Sequence, residues 1–171
     1  MMKKSVLTLC KTALLSAVAL VLSVLENMIP TLSFALPGMK LGLSNIAVMF
    51  SLELCSLPCA LAVVLIKALF ALVTRGAVAF FMSFCGGVAA TLGMYFLIRS
   101  KKLSFGCFGI GIGGAFLHNM GQLFIAYLIL SDVVLYYLPV LCLSSLLTGS
   151  LTALVYYVVM PPLKKIPLLR S

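Results

Sequence analysis

Apolar residues run almost without break along the chain, and prolines, glycines and basic residues interrupt them at intervals. A bilayer hydrocarbon core of about 30 Å takes roughly 20 helical residues. On that measure the pattern predicts spans at 6–28, 43–56, 59–75, 77–98, 108–130 and 137–160. The second is short for a crossing. Pro30, Pro37, Pro58, Pro139, Pro161 and Pro162 fall near the predicted ends, where a missing N–H costs least. The predicted fold class is therefore all-α: one integral membrane domain over residues 1–171, a bundle of six transmembrane helices with no internal repeat.

One stretch strains this scheme. Ser104 to Leu130 would reach about 40 Å as a straight helix. Its opening, SFGCFGIGIGG, is rich in glycine and predicts a bent or loosely helical start. Gly109, Gly111 and Gly114 match G-x-G-x-x-G in form only. No strand precedes them, so they read as small residues for close helix packing and not as a dinucleotide site.

Composition agrees with lipid as the main solvent. The chain is 64% hydrophobic and 9% charged, with a mean hydropathy of +1.28. A soluble domain carries about 25% charged residues to cover its surface. The net charge of +9 comes from twelve Lys and Arg against three acids. The basic residues cluster at the ends of apolar runs, so they predict no nucleic-acid partner. The six cysteines lie scattered without C-x-x-C and read as buried small hydrophobes. The opening MMKK and Ala17-Val18-Ala19 imitate a signal peptide. The apolar run continues through Leu25, however, and Lys11 comes late for an n-region, which predicts an uncleaved span.

Orientation follows the cations. Lys3, Lys4, Lys11, Arg99, Lys101, Lys102, Lys164, Lys165 and Arg170 all fall on one side of an even number of spans. That side is predicted to be the cytoplasm and to hold both termini. The outer side receives Lys40 and Arg75.

Polar residues inside spans are costly and face the protein interior. Depth places Glu26, Asn27, Lys40, Asn45, Lys67, Arg75, His118, Asn119 and Gln122 in the outer half of the bundle. His118 and Gln122 are one helical turn apart and share a face. Glu53 lies near the cytoplasmic end of its span, too shallow to pair with Lys67. Two readings of the set stand. It lines a pocket open to the outside, or it is a polar network that ties helices together. Cations outnumber acids, so a pocket would take a small anionic or amphipathic ligand. One interior histidine and two separated glutamates make a poor proton or ion relay.

Small residues four apart let helices approach closely. Ala13-x-x-x-Ala17, with Ser16 beside it, forms such a stripe on the first span. Ser145, Gly149 and Ala153 form another on the last. Each reads either as internal packing or as a docking stripe for a partner membrane protein.

LPGMKLGLSNIAVMF, leading into the second span, and FLHNMGQL in the fifth carry a family resemblance. Together with six spans and the stripe on the first, they make nearly the whole chain resemble the Gx transporter family. That family is also called heptaprenyl diphosphate synthase component I, and it is similar to the substrate-binding S components of energy-coupling factor (ECF) transporters. The resemblance implies a multi-pass protein of the bacterial cytoplasmic membrane that captures a ligand from outside. It implies a transmembrane T subunit docked on Ala13 and Ala17, with two cytoplasmic ATPases as further partners. Pro37, Gly38 and Gly42 would form the cap loop, and Lys40 and Asn45 the pocket rim. The second reading is a membrane accessory subunit of a soluble prenyl diphosphate synthase.

Prenyl chain elongation needs Mg²⁺ held between carboxylates and a diphosphate. This chain has one aspartate, Asp132, and two distant glutamates, so it cannot supply a D-D-x-x-D site. It has no P-loop for ATP hydrolysis. The sequence therefore predicts no catalysis, metal or cofactor of its own.

Overall fold

The computed structural model describes residues 2–28, 42–100, 106–130 and 132–166. These residues are all-helical. Six α-helices follow in order: α1 (Met2–Asn27), α2 (Asn45–Leu54), α3 (Leu57–Arg75), α4 (Ala77–Arg99), α5 (Cys107–Leu130) and α6 (Leu138–Lys165), with a 3₁₀ turn at Asp132–Tyr137 before α6. All except α2 are long and apolar enough to cross a membrane, which makes five.

The short helix corrects the second predicted span. With ten residues, α2 is about 15 Å long, half of a hydrocarbon core. It cannot extend at either end. Gly42 precedes it with φ of +88°, and its C-cap Cys55 leaves helical geometry at φ −130°, ψ −98°. Pro58 then sits in the first turn of α3, where its missing N–H breaks no bond.

Two other expectations change. Helix α5 is α-helical without interruption from Cys107 onward, not loosely helical at its glycines. Gly111 explains why, because its backbone is clamped against α6: a Cβ built on it would fall 2.6 Å from Gly149 O. Pro161 and Pro162 lie inside α6, not at its end. The carbonyls they leave unbonded belong to Tyr157 and Val158, whose residues are exposed.

The bundle is apolar outside and small or polar inside. Leu14, Val21, Leu69, Val73, Phe124 and Leu147 point outward, whereas Ser51, Ser83, Thr91, Thr148 and Thr152 are buried. Hydroxyls in the interior donate to their own helix, Thr91 to Gly87 O at 2.7 Å and Thr152 to Thr148 O at 2.8 Å. This is the distribution that a lipid solvent selects. The cysteines fit it loosely: all six are free thiols, Cys10 exposed and the others half-buried, not the fully buried positions expected.

One end of the bundle gathers the C-terminal ends of α2 and α6. Lys164 Nζ lies 2.5 Å from Glu53 Oε1 there, and Phe50 packs on Tyr156 with ring centroids 5.5 Å apart. Lys11 of α1 reaches the same end, within electrostatic range of Cys55. Glu53 is thus matched to α6, in keeping with its poor depth match to Lys67.

The two small-residue stripes face opposite ways. Ser145, Gly149 and Ala153 turn inward against α5, so that stripe is internal packing. Ala13 and Ala17 are exposed, whereas Ser16 and Ala19 on the same helix are buried.

Helices α4 and α5 touch backbone to backbone, since a Cβ on Gly121 would fall 2.8 Å from Gly86 Cα. Gly121→Val is therefore expected to cost about 1–3 kcal/mol through overpacking. Thermal unfolding of the purified protein in detergent should show the loss. Gly106→Ala, with nothing within 4 Å of the added carbon, should leave the midpoint in place.

Candidate functional site: a buried polar cluster

Gly42 is the hub. Its positive φ suits glycine alone among common residues. Its carbonyl accepts the Asn45 N–H at 2.9 Å, which starts α2. Its own N–H donates to Glu26 Oε1 at the end of α1. A Cβ at this position would meet Asn45 Nδ2 at 2.9 Å and His118 Cδ2 at 3.0 Å. One glycine therefore joins groups from α1, α2 and α5.

Lys67 completes the cluster from α3. It sits about 15 Å along its helix, and its Nζ donates to Asn45 Oδ1 at 3.1 Å. Asn45 reaches it because α2 starts at that depth. His118 and Gln122 stack on α5 with their Nε2 atoms 2.8 Å apart. With the amide nitrogen donating, the ring nitrogen accepts, and the imidazole proton lies on Nδ1. Gly86 of α4 makes the space, because a Cβ there would press on His118 Nδ1 and Gln122 Cγ at 3.0 Å. Glu26, Asn45, Lys67, His118 and Gln122 are each 5% exposed or less.

Arg75 closes α3 half-buried. Glu26 is the carboxylate within electrostatic reach of both Lys67 and Arg75. One acid thus faces two cations and a backbone N–H inside a low-dielectric bundle, where such attractions are strong. The cluster also holds polar capacity that it does not use. Glu26 Oε2 and Asn45 Nδ2 have no hydrogen-bond partner among the described residues.

Of the residues singled out in the sequence, the structure brings together Glu26, Gly42, Asn45, Lys67, His118 and Gln122, with Arg75 at the margin. It sets Asn119 apart. The Asn119 amide turns to α6 and lies 2.9 Å from Ser145 Oγ, 3.2 Å from Ser144 Oγ and 3.2 Å from Leu141 O. Its role there is to tie α5 to α6. Asn27 is exposed. Lys40, Pro37 and Gly38 lie outside the described residues. Sequence reading missed Gly86, for which the Gly86-Gly87 pair in an apolar helix was the available signal. It also placed Gly42 in a cap loop and missed its N–H as a donor to an anion. Among the described residues no group of three or more His, Cys, Asp or Glu is placed to hold a metal ion.

Comparison with known families agrees with this architecture. The profile of the heptaprenyl diphosphate synthase component I family matches residues 15–159. The chain belongs to this family. The match takes in α1 from Leu15 and the whole of α2 to α5, so the component I region contains every member of the buried cluster. No curated protein and no solved structure matches the chain.

The division between cluster and tie has a measurable consequence. Asn119→Ala should lower stability by about 1–3 kcal/mol, the range for a buried hydrogen-bonding group. Ser144 and Ser145 keep their bonds to Leu141 O, which limits the loss. Asn27→Ala, at an exposed position, should leave the thermal midpoint unchanged.

Proposed function

We propose that this component I protein is a non-catalytic membrane subunit. It binds a small anionic or amphipathic ligand at the buried cluster and serves as the membrane partner of a heptaprenyl diphosphate synthase. The cluster itself carries the reading: a buried ammonium, a buried carboxylate and a donated backbone N–H meet inside a bundle whose outer surface is apolar. A ligand with a charged head and an apolar tail suits both surroundings. The family supports the partner. The non-catalytic assignment rests on the acids: of the chain's three, Glu53 pairs with Lys164 at the end of α6 and Glu26 with the Gly42 N–H, whereas Mg²⁺–diphosphate chemistry needs convergent carboxylates.

The end of the bundle that holds Lys11, Lys164 and Lys165 faces the cytoplasm in this reading, by the bias of basic residues. A soluble synthase then meets that end, at the junction of α2, α3 and α6.

A second reading has one observation in its favour. Ala13 and Ala17 lie exposed on α1, four apart and ready for a partner helix. That is the surface an S-component-like uptake subunit would offer to a T subunit with its ATPases. The two readings differ in what holds the chain.

Gentle detergent purification from native membranes, with mass spectrometry of what co-purifies, separates them. A soluble prenyl diphosphate synthase without ATPases is the expected result. A T subunit with paired ATPases would replace it with the uptake reading. Ala13→Leu with Ala17→Leu should abolish recovery of any membrane partner docked on α1 and spare the synthase. Full recovery of a T subunit by the double variant would remove the docking role.

A further inference from the structure

Glu26 stands where local rules disfavour it. It lies in the last turn of α1, at the negative end of the helix dipole, and no basic residue shares that turn. It is 5% exposed. Conflict of this kind between local preference and tertiary position marks functional sites.

The carboxylate's surroundings are those of a bound anion. Oε1 accepts the Gly42 N–H, Lys67 and Arg75 lie within electrostatic reach, and Oε2 has no hydrogen-bond partner among the described residues. Asn45 Nδ2, which also lacks one among them, lies beside Gly42. The fit is therefore incomplete: two oxygens meet a site with more donors than they use.

We propose that Glu26 is a built-in occupant of the anion site, and that a phosphate-bearing ligand binds by displacing it. This rests on the reading of the cluster as an anion site and adds how that site is kept when empty. A diphosphate has more oxygens than a carboxylate, so it takes Gly42 N–H and Lys67 and also engages Asn45 Nδ2. The displaced side chain has somewhere to go. Asn27 and Met28, the next two residues, are exposed, so Glu26 leaves by unwinding one helix end and not by breaking a packed interior. Without ligand, Glu26 spares Lys67 an unpaired burial. With ligand, the incoming charge takes over that task.

The consequence is an affinity held below its intrinsic value by self-competition. If the site is open in about one molecule in ten, removing the competitor raises apparent affinity about tenfold. The test uses the full chain in nanodiscs of zwitterionic lipid, with inorganic pyrophosphate and geranyl diphosphate as probes. Glu26→Gln should bind them about tenfold tighter than wild type, Glu26→Asp should gain less, and Lys67→Met should lose binding. A gain with both probes assigns recognition to the diphosphate, and a gain with geranyl diphosphate alone adds the tail. Adding anionic lipid to the nanodiscs should cut the gain if a lipid headgroup is the natural source of the phosphate and leave it if the source is soluble.

Equal or weaker binding by both Glu26 variants, with wild-type binding intact, overturns the displacement and leaves the anion site standing. Absence of binding in wild type and Glu26→Gln alike overturns both. A check on wild type needs no variant to fold: infrared difference spectra should show one carboxylate becoming hydrated as pyrophosphate binds. Of the three acidic side chains only Glu26 is buried, so hydration of a buried carboxylate is assignable to it. Binding without any carboxylate change overturns the displacement.

Discussion

The buried ammonium of Lys67 is the constraint on which the rest of the architecture turns. A cation taken out of water costs several kcal/mol even after relaxation, unless hydrogen bonds and an opposite charge compensate. Lys67 lies midway along an apolar helix and is 3% exposed, so compensation must come from other helices at that depth. Asn45 supplies the oxygen and Glu26 the charge. Each is available only because of where a helix ends. Helix α1 stops just past Glu26, and α2 begins at Asn45. A helix α2 set at another depth would carry Asn45 away from Lys67 and leave the ammonium without that oxygen.

Helix α2 is therefore short for a reason, and the short helix needs anchoring. Ten residues are too few to form a stable helix in isolation, and α2 is held by its neighbours, with eight of the ten buried. Polar contacts pin both ends: Asn45 to Lys67 at one, Glu53 to Lys164 at the other. Between them Phe50 packs on Tyr156, and Ile46, Leu54 and Met160 complete an apolar cluster. The element that positions the candidate site is thus joined to the C-terminal end of α6, about 15 Å away along its axis.

Small residues do two jobs in the same bundle. Between α4 and α5, and between α5 and α6, they let backbones meet and leave no room for lipid. On α1 the same spacing faces outward, with Ala13 and Ala17 exposed. Packing geometry separates the two cases, because α5 and α6 are neighbours in sequence and in space, whereas α1 packs on α2 and α3 and shows them its other face. The serine side of α1 is buried and the alanine side is left over.

Much of this was legible in the residues. Apolar run length defined an all-helical membrane protein with five helices long and apolar enough to cross a bilayer, because insertion in lipid depends on additive, local transfer energies. Burial of Glu26, Asn45, Lys67, His118 and Gln122 was legible too, since lipid expels polar groups wherever the fold allows it. What sequence could not supply was contact. Asn119 adjoins His118 in the chain, but one helical step turns it toward α6 and out of the cluster. The shortness of α2, the regular start of α5 and the continuation of α6 through Pro161 and Pro162 also depend on neighbours. Composition and periodicity determined the solvent, the helical class and the inward-facing polar set. Only tertiary structure decided which polar groups meet, because side chains far apart in sequence share a depth and a face only after the helices have packed.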